Sequence, residues 1–258
     1  MRILPQMEIA LLMLAALGAG FVDAVSGGGG LIQLPALLIA YPSAPLPLLF
    51  GTNKFASCFG TSAAALRYAR AVAMPWRLLA GSALAAFTCS FLGARCSAHI
   101  SASVLRPVVV AALFAVLLFT IFRPSIGRVH APTLSPRAQG IVAALLGAVI
   151  GFYDGLIGPG TGSFLLFSFA VLLGFDFLHA SASAKVINIA TNLAALAYFI
   201  PTGNVRYELA FGMAVANVAG AYVGAHLSLK RGVGFIRGLF IVVVLALLAK
   251  QVQQLLGL

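Results

Sequence analysis

Charge is what this chain has least of. Only 8% of its 258 residues are Asp, Glu, Lys or Arg, where a soluble domain carries about 25%. So few charges cannot coat a water-facing surface, and a soluble globule is excluded. Acids are the scarcer sign, five against sixteen Lys and Arg, which argues against a metal-dependent site. The three cysteines, Cys58, Cys89 and Cys96, are an odd number without metal-ligand spacing and read as small apolar residues in helices. No GxxxxGK[ST] run is present, so the chain does not itself hydrolyse ATP. HExxH and GxSxG are missing too. The sequence therefore predicts neither an enzyme nor a bound cofactor or metal.

What the chain has in abundance is apolar length. Hydrophobic residues make up 62% of it, in blocks of about 20, the span needed to cross a hydrocarbon core of roughly 30 Å. The blocks are apolar all round rather than alternating, so they predict helices and not a β-barrel. The expected fold is an all-α, polytopic transmembrane bundle. A net charge of +11 would suggest nucleic acid in a soluble protein. Here most basic residues lie between apolar blocks, where they set orientation and meet anionic headgroups. The bilayer is the expected partner, and nucleic acid is not. Homo-oligomerisation is left open. Arg2 and the apolar run after it have the look of a signal peptide. A matching segment recurs near residue 151, so the first segment is expected to stay in the mature protein.

Shifting the sequence by 131 residues aligns two halves without a gap. Gly20-Phe21 meets Gly151-Phe152, Asp23 meets Asp154, Gly27 and Gly29 meet Gly158 and Gly160, and Lys54 meets Lys185. Farther on, Trp76 meets Tyr207, Gly81 meets Gly212, Gly93 meets Gly224, and Arg106 meets Arg237. Matches among rare Asp, Lys and Arg carry weight in so biased a composition. The reading is a tandem duplication: a first transmembrane repeat over 1–122, a polar linker over 123–138 containing Pro124, Pro132 and Pro136, and a second repeat over 139–258. Helices are expected near 8–25, 48–69, 75–95 and 103–122, then near 139–157, 180–200, 207–228 and 234–256. Each half also has a glycine-rich break, Ser26–Gly30 or Gly158–Gly162, followed by an apolar stretch at 31–41 or 163–175.

Eight crossings place both termini on one side, together with Arg67, Arg70, Arg77, Arg123, Arg128, Arg137 and Arg206. Including Arg2 and Lys250, that face holds nine basic residues, against five at Arg95, Arg106, Lys230, Arg231 and Arg237. The positive-inside rule then makes the nine-residue face, with both termini, cytoplasmic. If the stretches after the glycine breaks also cross, the halves become inverted, a plan many transporters use.

Two of the sixteen basic residues remain, Lys54 and Lys185, inside apolar helices. Of the five acids, Glu8, Asp176 and Glu208 lie near segment ends or connections, while Asp23 and Asp154 adjoin the glycine breaks. Each half thus keeps one acid and one lysine at membrane depth. A charge there costs about 2.5–3.5 kcal/mol on insertion scales, so it needs a partner or a wet cavity. One reading is a structural ion pair within each half, Asp23 with Lys54 and Asp154 with Lys185. The other is a substrate or proton path. The breaks favour the path. Gly28 and Gly29, and Gly160 beside Pro159 and Thr161, cannot be ordinary helix interior. Broken backbone in hydrocarbon survives only when buried in protein or lining a cavity. A helix restarting there aims free N–H groups and a positive dipole end at that cavity. With a lysine nearby, such a site suits an anion. Asn53, Thr52, Ser181 and Ser183 lie close in sequence to the lysines. Asn188, Thr191 and Asn192 share a helical face, where they either hydrogen-bond an oxyanion or bridge helices.

The runs GFVDAVSGGGGLIQLPALL, GTNKFAS, GFYDGLIGPGTGSFLLF and ASAKVIN resemble the sulfite exporter TauE/SafE family of membrane proteins. The resemblance covers nearly the whole chain. It implies an inner-membrane transporter with two related halves, acting on small sulfur-containing anions such as sulfite or organosulfonates. The positions matching the family are Asp23, Gly27–Gly30, Asn53 and Lys54, then Asp154, Gly158–Thr161, Lys185 and Asn188. The expected function is a secondary transporter in which the lysines, Asn53, Asn188, Gly28, Gly29, Gly160 and Thr161 hold the anion. Asp23 and Asp154 couple protons or pair with the lysines. A passive anion channel or an accessory subunit of a transport system is the alternative, and a cation carrier built on the two aspartates is a third reading.

Overall fold

The computed structural model describes residues 4–99 and 130–255, with four isolated helical positions at 104, 107, 111 and 114. The described residues form, in chain order, α1 (Leu4–Ser26), α2 (Gly30–Ala40), α3 (Leu46–Ala71), α4 (Trp76–Ser97), α5 (Pro136–Leu156), α6 (Thr161–Leu172), α7 (Phe177–Phe199) and α8 (Tyr207–Leu255). Among the described residues there is no strand. The helix expected at 103–122 and most of the linker expected at 123–138 lie outside the described residues, as do the side chains of Arg2, Arg106, Arg123, Arg128, Arg237 and Lys250. The segments expected separately at 207–228 and 234–256 form one helix, because Gly232 and Gly234 lower helix propensity without removing an N–H as proline does.

Local chemistry sets the boundaries. Ser135 caps α5 by accepting the Ala138 N–H, with Pro136 in the first turn, where its missing N–H costs nothing. Asp176 caps α7 by accepting the His179 N–H at 2.8 Å. Among the described residues, four stretches are long and apolar enough to cross a membrane: Met7–Ser26, Trp76–Ser97, Pro136–Leu156 and Tyr207–Arg231. α3 and α7 are of similar length but fall short of that hydropathy, since they carry the buried lysines and half of the buried Asn, Ser and Thr among the described residues. Large side chains such as Leu84 (70% exposed) and Val215 (73%) form an outward apolar face, as expected of a surface in contact with lipid.

Helix directions follow from which residues touch. Along α3 and α8, Gly51 meets Asn204, Gly60 meets Asn217, and Arg67 reaches Tyr222 and His226, so the two helices are parallel. α1 runs with them, since Met13 meets Gly212 and Phe21 meets Gly224. α4 and α5 are parallel to each other: Ser82 meets Gly147, Ala86 meets Gly151, and Ser90 meets Gly155. α3 and α7 are antiparallel, with Gly51 against Phe199 at one end and Tyr68 clustered with Ala182 at the other. α3 and α7 are the helices that the 131-residue offset superposes, so the matched segments are inverted.

Glycine makes these contacts close. A Cβ on Gly93 would strike the Phe152 carbonyl, and a Cβ on Gly224 would meet that of Phe21. Those two contacts are themselves related by the offset. Small residues at membrane helix interfaces let backbones approach in this way.

One expectation needs correction. Eight alternating crossings put Arg2 on the face of Arg67, Arg70 and Arg77. In the structure α1 and α3 run the same way, so α1 begins at the opposite end of the bundle from Ala71. The reason is α2. After the turn at Gly27–Gly29 the chain doubles back beside α1, placing Gly29 against Ala19 and Asp23. It reaches Tyr41, whose ring lies 4.8 Å from the Arg206 guanidinium at the start of α8.

Candidate functional site

The two glycine turns meet inside the bundle. Gly27 (φ 80°) and Gly158 (φ 92°) occupy left-handed backbone, which a side chain disfavours. Any Cβ on Gly27 would also collide with Gly162 of the other turn. Ser163 stitches the turns together: its N–H donates to the Gly27 carbonyl at 3.2 Å, and its hydroxyl donates to the Ser26 carbonyl at 2.8 Å. Tyr68 on α3 donates to the Ala24 carbonyl at 2.9 Å, and Tyr153 on α5 donates to that of Pro159 at 2.7 Å. Each turn is thereby anchored to a helix.

Around this junction stand four buried charged residues. Lys54 Nζ lies 2.5 Å from Asp154 Oδ2. Lys185 Nζ lies 3.3 Å from Asp23 Oδ2 and also donates to the Asp23 carbonyl oxygen. None of the four side chains is more than 9% exposed. The pairing expected within each half is therefore replaced by an exchanged one, each lysine taking the aspartate of the other half. Inversion explains it, since the meeting of the turns carries each aspartate toward the opposite lysine helix. Thr61 adds a donor to Asp23 Oδ2 at 3.0 Å.

A cavity of about 20 Å³ lies among these groups, room for about one water. Of the residues expected at the site, Asp23, Asn53, Lys54, Asp154, Gly160, Thr161 and Asn188 line it. Gly28 and Gly29 do not; their turn contributes Gly27 and Gly30 instead. The Gly29 Cα faces α1, and the Gly28 carbonyl accepts the Leu31 N–H. Lys185 stands behind Asp23 rather than on the wall. The α6 N-terminus gives one N–H, that of Ser163, to the other turn.

Of the polar face on α7, Asn188 and Asn192 reach the cavity, while the Thr191 carbonyl accepts the Ser90 hydroxyl of α4 at 2.9 Å. The Thr191 hydroxyl itself stays on α7, donating to the Asn188 carbonyl at 2.9 Å, so the contact to α4 is made by the backbone of this face and not by its polar side chains. Sequence reasoning missed Ser57 and Thr61, which also line the wall. They follow Lys54 by three and seven residues, a helical spacing that marks them on its face. It also missed Gln33, the lone polar residue of α2. Its amide donates to the Asn53 carbonyl at 3.2 Å and accepts from Asn217 at 2.7 Å. The side-chain oxygen of Asn53 is buried without a protein partner.

Apolar crossing helices, a chain that reverses inside the bundle, and buried exchanged ion pairs around a polar cavity together define a membrane transporter. The chain belongs to the sulfite exporter TauE/SafE family, whose model matches residues 12–250. It is 36% identical over 240 residues to a probable membrane transporter protein, ORF9, of a Sinorhizobium species, covering 93% of this chain and 90% of that one. It is 32% identical to a probable membrane transporter protein of Haemophilus influenzae, covering 95% of both chains. It is also 32% identical to the probable membrane transporter protein YfcA of Escherichia coli, covering 94% and 88%. No solved structure matches the chain.

Proposed function

We propose that this chain is a secondary transporter for a small anion of the sulfur-oxyanion or organosulfonate class, moving it together with a proton. The observation that carries the reading is the exchange of Lys54–Asp154 and Lys185–Asp23 around one small polar cavity. The two pairs sum to zero formal charge. An anion brought into a neutral, water-poor site is costly unless its charge is compensated. A proton on Asp23 or Asp154 frees a lysine to pair with the anion, and the loaded site is neutral again. Asn53, Thr161 and Asn188 supply hydrogen bonds. The substrate class is supported by the family's description as sulfite exporters. A cavity the size of one water does not admit sulfite, so loading requires the two turns to separate.

The orientation follows from the same helix directions. Among the described residues, Arg67, Arg70, Arg77, Arg137, Lys230 and Arg231 lie at one end of the bundle, and Arg95 and Arg206 at the other. By the positive-inside rule the first end faces the cytoplasm, which puts the start of α1 outside, opposite to the expectation from eight crossings.

Sulfite flux into proteoliposomes tests the function. Lys54→Ala and Lys185→Ala, singly and together, are expected to abolish gradient-driven uptake. Unaltered flux in the double variant removes the lysines from the mechanism. Flux that ignores an imposed pH gradient favours the passive channel, and cations that compete with sulfite favour a cation carrier.

A further inference from the structure

We propose a binding site for a divalent transition metal of the zinc type, formed by His130, Asp176 and His179 at the end of the bundle where α7 begins. One ligand atom from each residue can be chosen so that all three lie within 4.8 Å of one another. Asp176 Oδ2 is 2.7 Å from His179 Nδ1 and 3.9 Å from His130 Nδ1. Bonds of about 2.0–2.1 Å to a tetrahedral zinc ion put its ligand atoms roughly 3.3 Å apart, between those two distances. Two imidazoles and one carboxylate suit zinc and its first-row neighbours. Calcium and magnesium take oxygen donors instead.

The fold holds the donors in place. The other oxygen of Asp176 accepts the His179 N–H at 2.8 Å, which fixes the carboxylate and leaves Oδ2 turned toward the histidines. The Ala131 N–H donates to the Gly174 carbonyl at 2.8 Å, tying the His130 segment to the loop before α7. The two imidazoles lie with centroids 4.2 Å apart and planes tilted by 36°, and the Phe175 ring centroid is 5.2 Å from that of His130. The three side chains are 24–37% exposed, so an ion reaches them from solvent. Sequence spacing hid the set, because its members come from two connections and a helix start, 46 and 3 residues apart. A bound ion would clamp the segment before α5 to α7, which carries Lys185 six residues farther on.

The test uses the full chain, free of any histidine tag, purified in detergent and stripped with chelator. Zn²⁺ is added and bound metal counted by mass spectrometry, with thermal unfolding read in parallel and Co²⁺ absorption as a second probe. The wild type is expected to retain about one Zn²⁺ per chain, to melt higher with it, and to show visible Co²⁺ bands. His130→Ala leaves the Asp176–His179 cap intact, so folding is not at stake. It is expected to weaken Zn²⁺ binding by about tenfold or more and to remove the Co²⁺ bands. Wild-type protein that retains no zinc, or a His130→Ala variant that binds as the wild type does, overturns the site and leaves Asp176 as a helix cap hydrogen-bonded to His179.

Discussion

Lys54, on α3, holds its ammonium 2.5 Å from the carboxylate of Asp154, at the far end of α5, with side chains 5% and 2% exposed. The two residues are 100 positions apart in sequence and in opposite halves of the chain. Removing one partner of such a buried pair leaves the other charge uncompensated, at a cost of about 3–5 kcal/mol. Lys54→Ala is therefore expected to lower thermal stability in detergent by that order. Adding Asp154→Asn should recover much of the loss, whereas adding Asp23→Asn should not. If Asp23→Asn rescues and Asp154→Asn does not, the exchange of partners is wrong.

The glycine turns give a steric prediction. Gly27→Ala and Gly158→Ala force a side chain into left-handed backbone, and at Gly27 into the Gly162 backbone as well. Each is expected to destabilise by more than about 1 kcal/mol and to stop flux. Gly18 and Gly81 lie inside α1 and α4 with open space where a Cβ would go, so alanine there should leave stability unchanged or raise it by up to about 1 kcal/mol. Melting curves for the four variants separate the two groups, and equal effects would remove the turns from their special position.

Asn53 separates a functional role from a structural one. Its side-chain oxygen has no protein partner and its residue lines the cavity. Asn53→Leu gives up no protein hydrogen bond at that oxygen, so stability should change by less than about 1 kcal/mol while sulfite uptake falls at least about tenfold. A large loss of stability with normal uptake would make Asn53 a packing residue.

Much of this site was legible in the sequence, for a physical reason. Lys54, Lys185, Asp23 and Asp154 stood out because ionisable side chains at membrane depth are costly, and the glycine breaks because backbone needs partners in hydrocarbon. Ser57 and Thr61 were within reach by helical spacing from Lys54. Partner choice was not legible. The 131-residue offset says which residues correspond, but not whether corresponding helices run together or against each other. That direction hangs on α2, an apolar stretch whose composition does not reveal that it doubles back. The positions of Gly28, Gly29 and Lys185 off the cavity wall depend on side-chain direction at the turns, which spacing does not encode.

Helix direction has its own test. Single cysteines on a background lacking Cys58, Cys89 and Cys96 can be labelled from either face of intact vesicles. Met7→Cys and Thr202→Cys should react from the same side, the outside. Ala73→Cys and Ser135→Cys should react from the cytoplasm. Labelling of Met7→Cys from the side of Ala73→Cys would contradict the parallel course of α1 and α3.

The number of protons that accompany each anion is the most direct measure of charge compensation by the exchanged pairs. In proteoliposomes clamped at zero voltage, sulfite uptake and internal acidification can be recorded together. Neutral loading of the exchanged pairs predicts about one proton per singly charged anion, uptake accelerated by an inward proton gradient, and loss of both signals in the Lys54→Ala, Lys185→Ala double variant. Sulfite movement that follows voltage alone, with no proton entering beside it, would contradict the account.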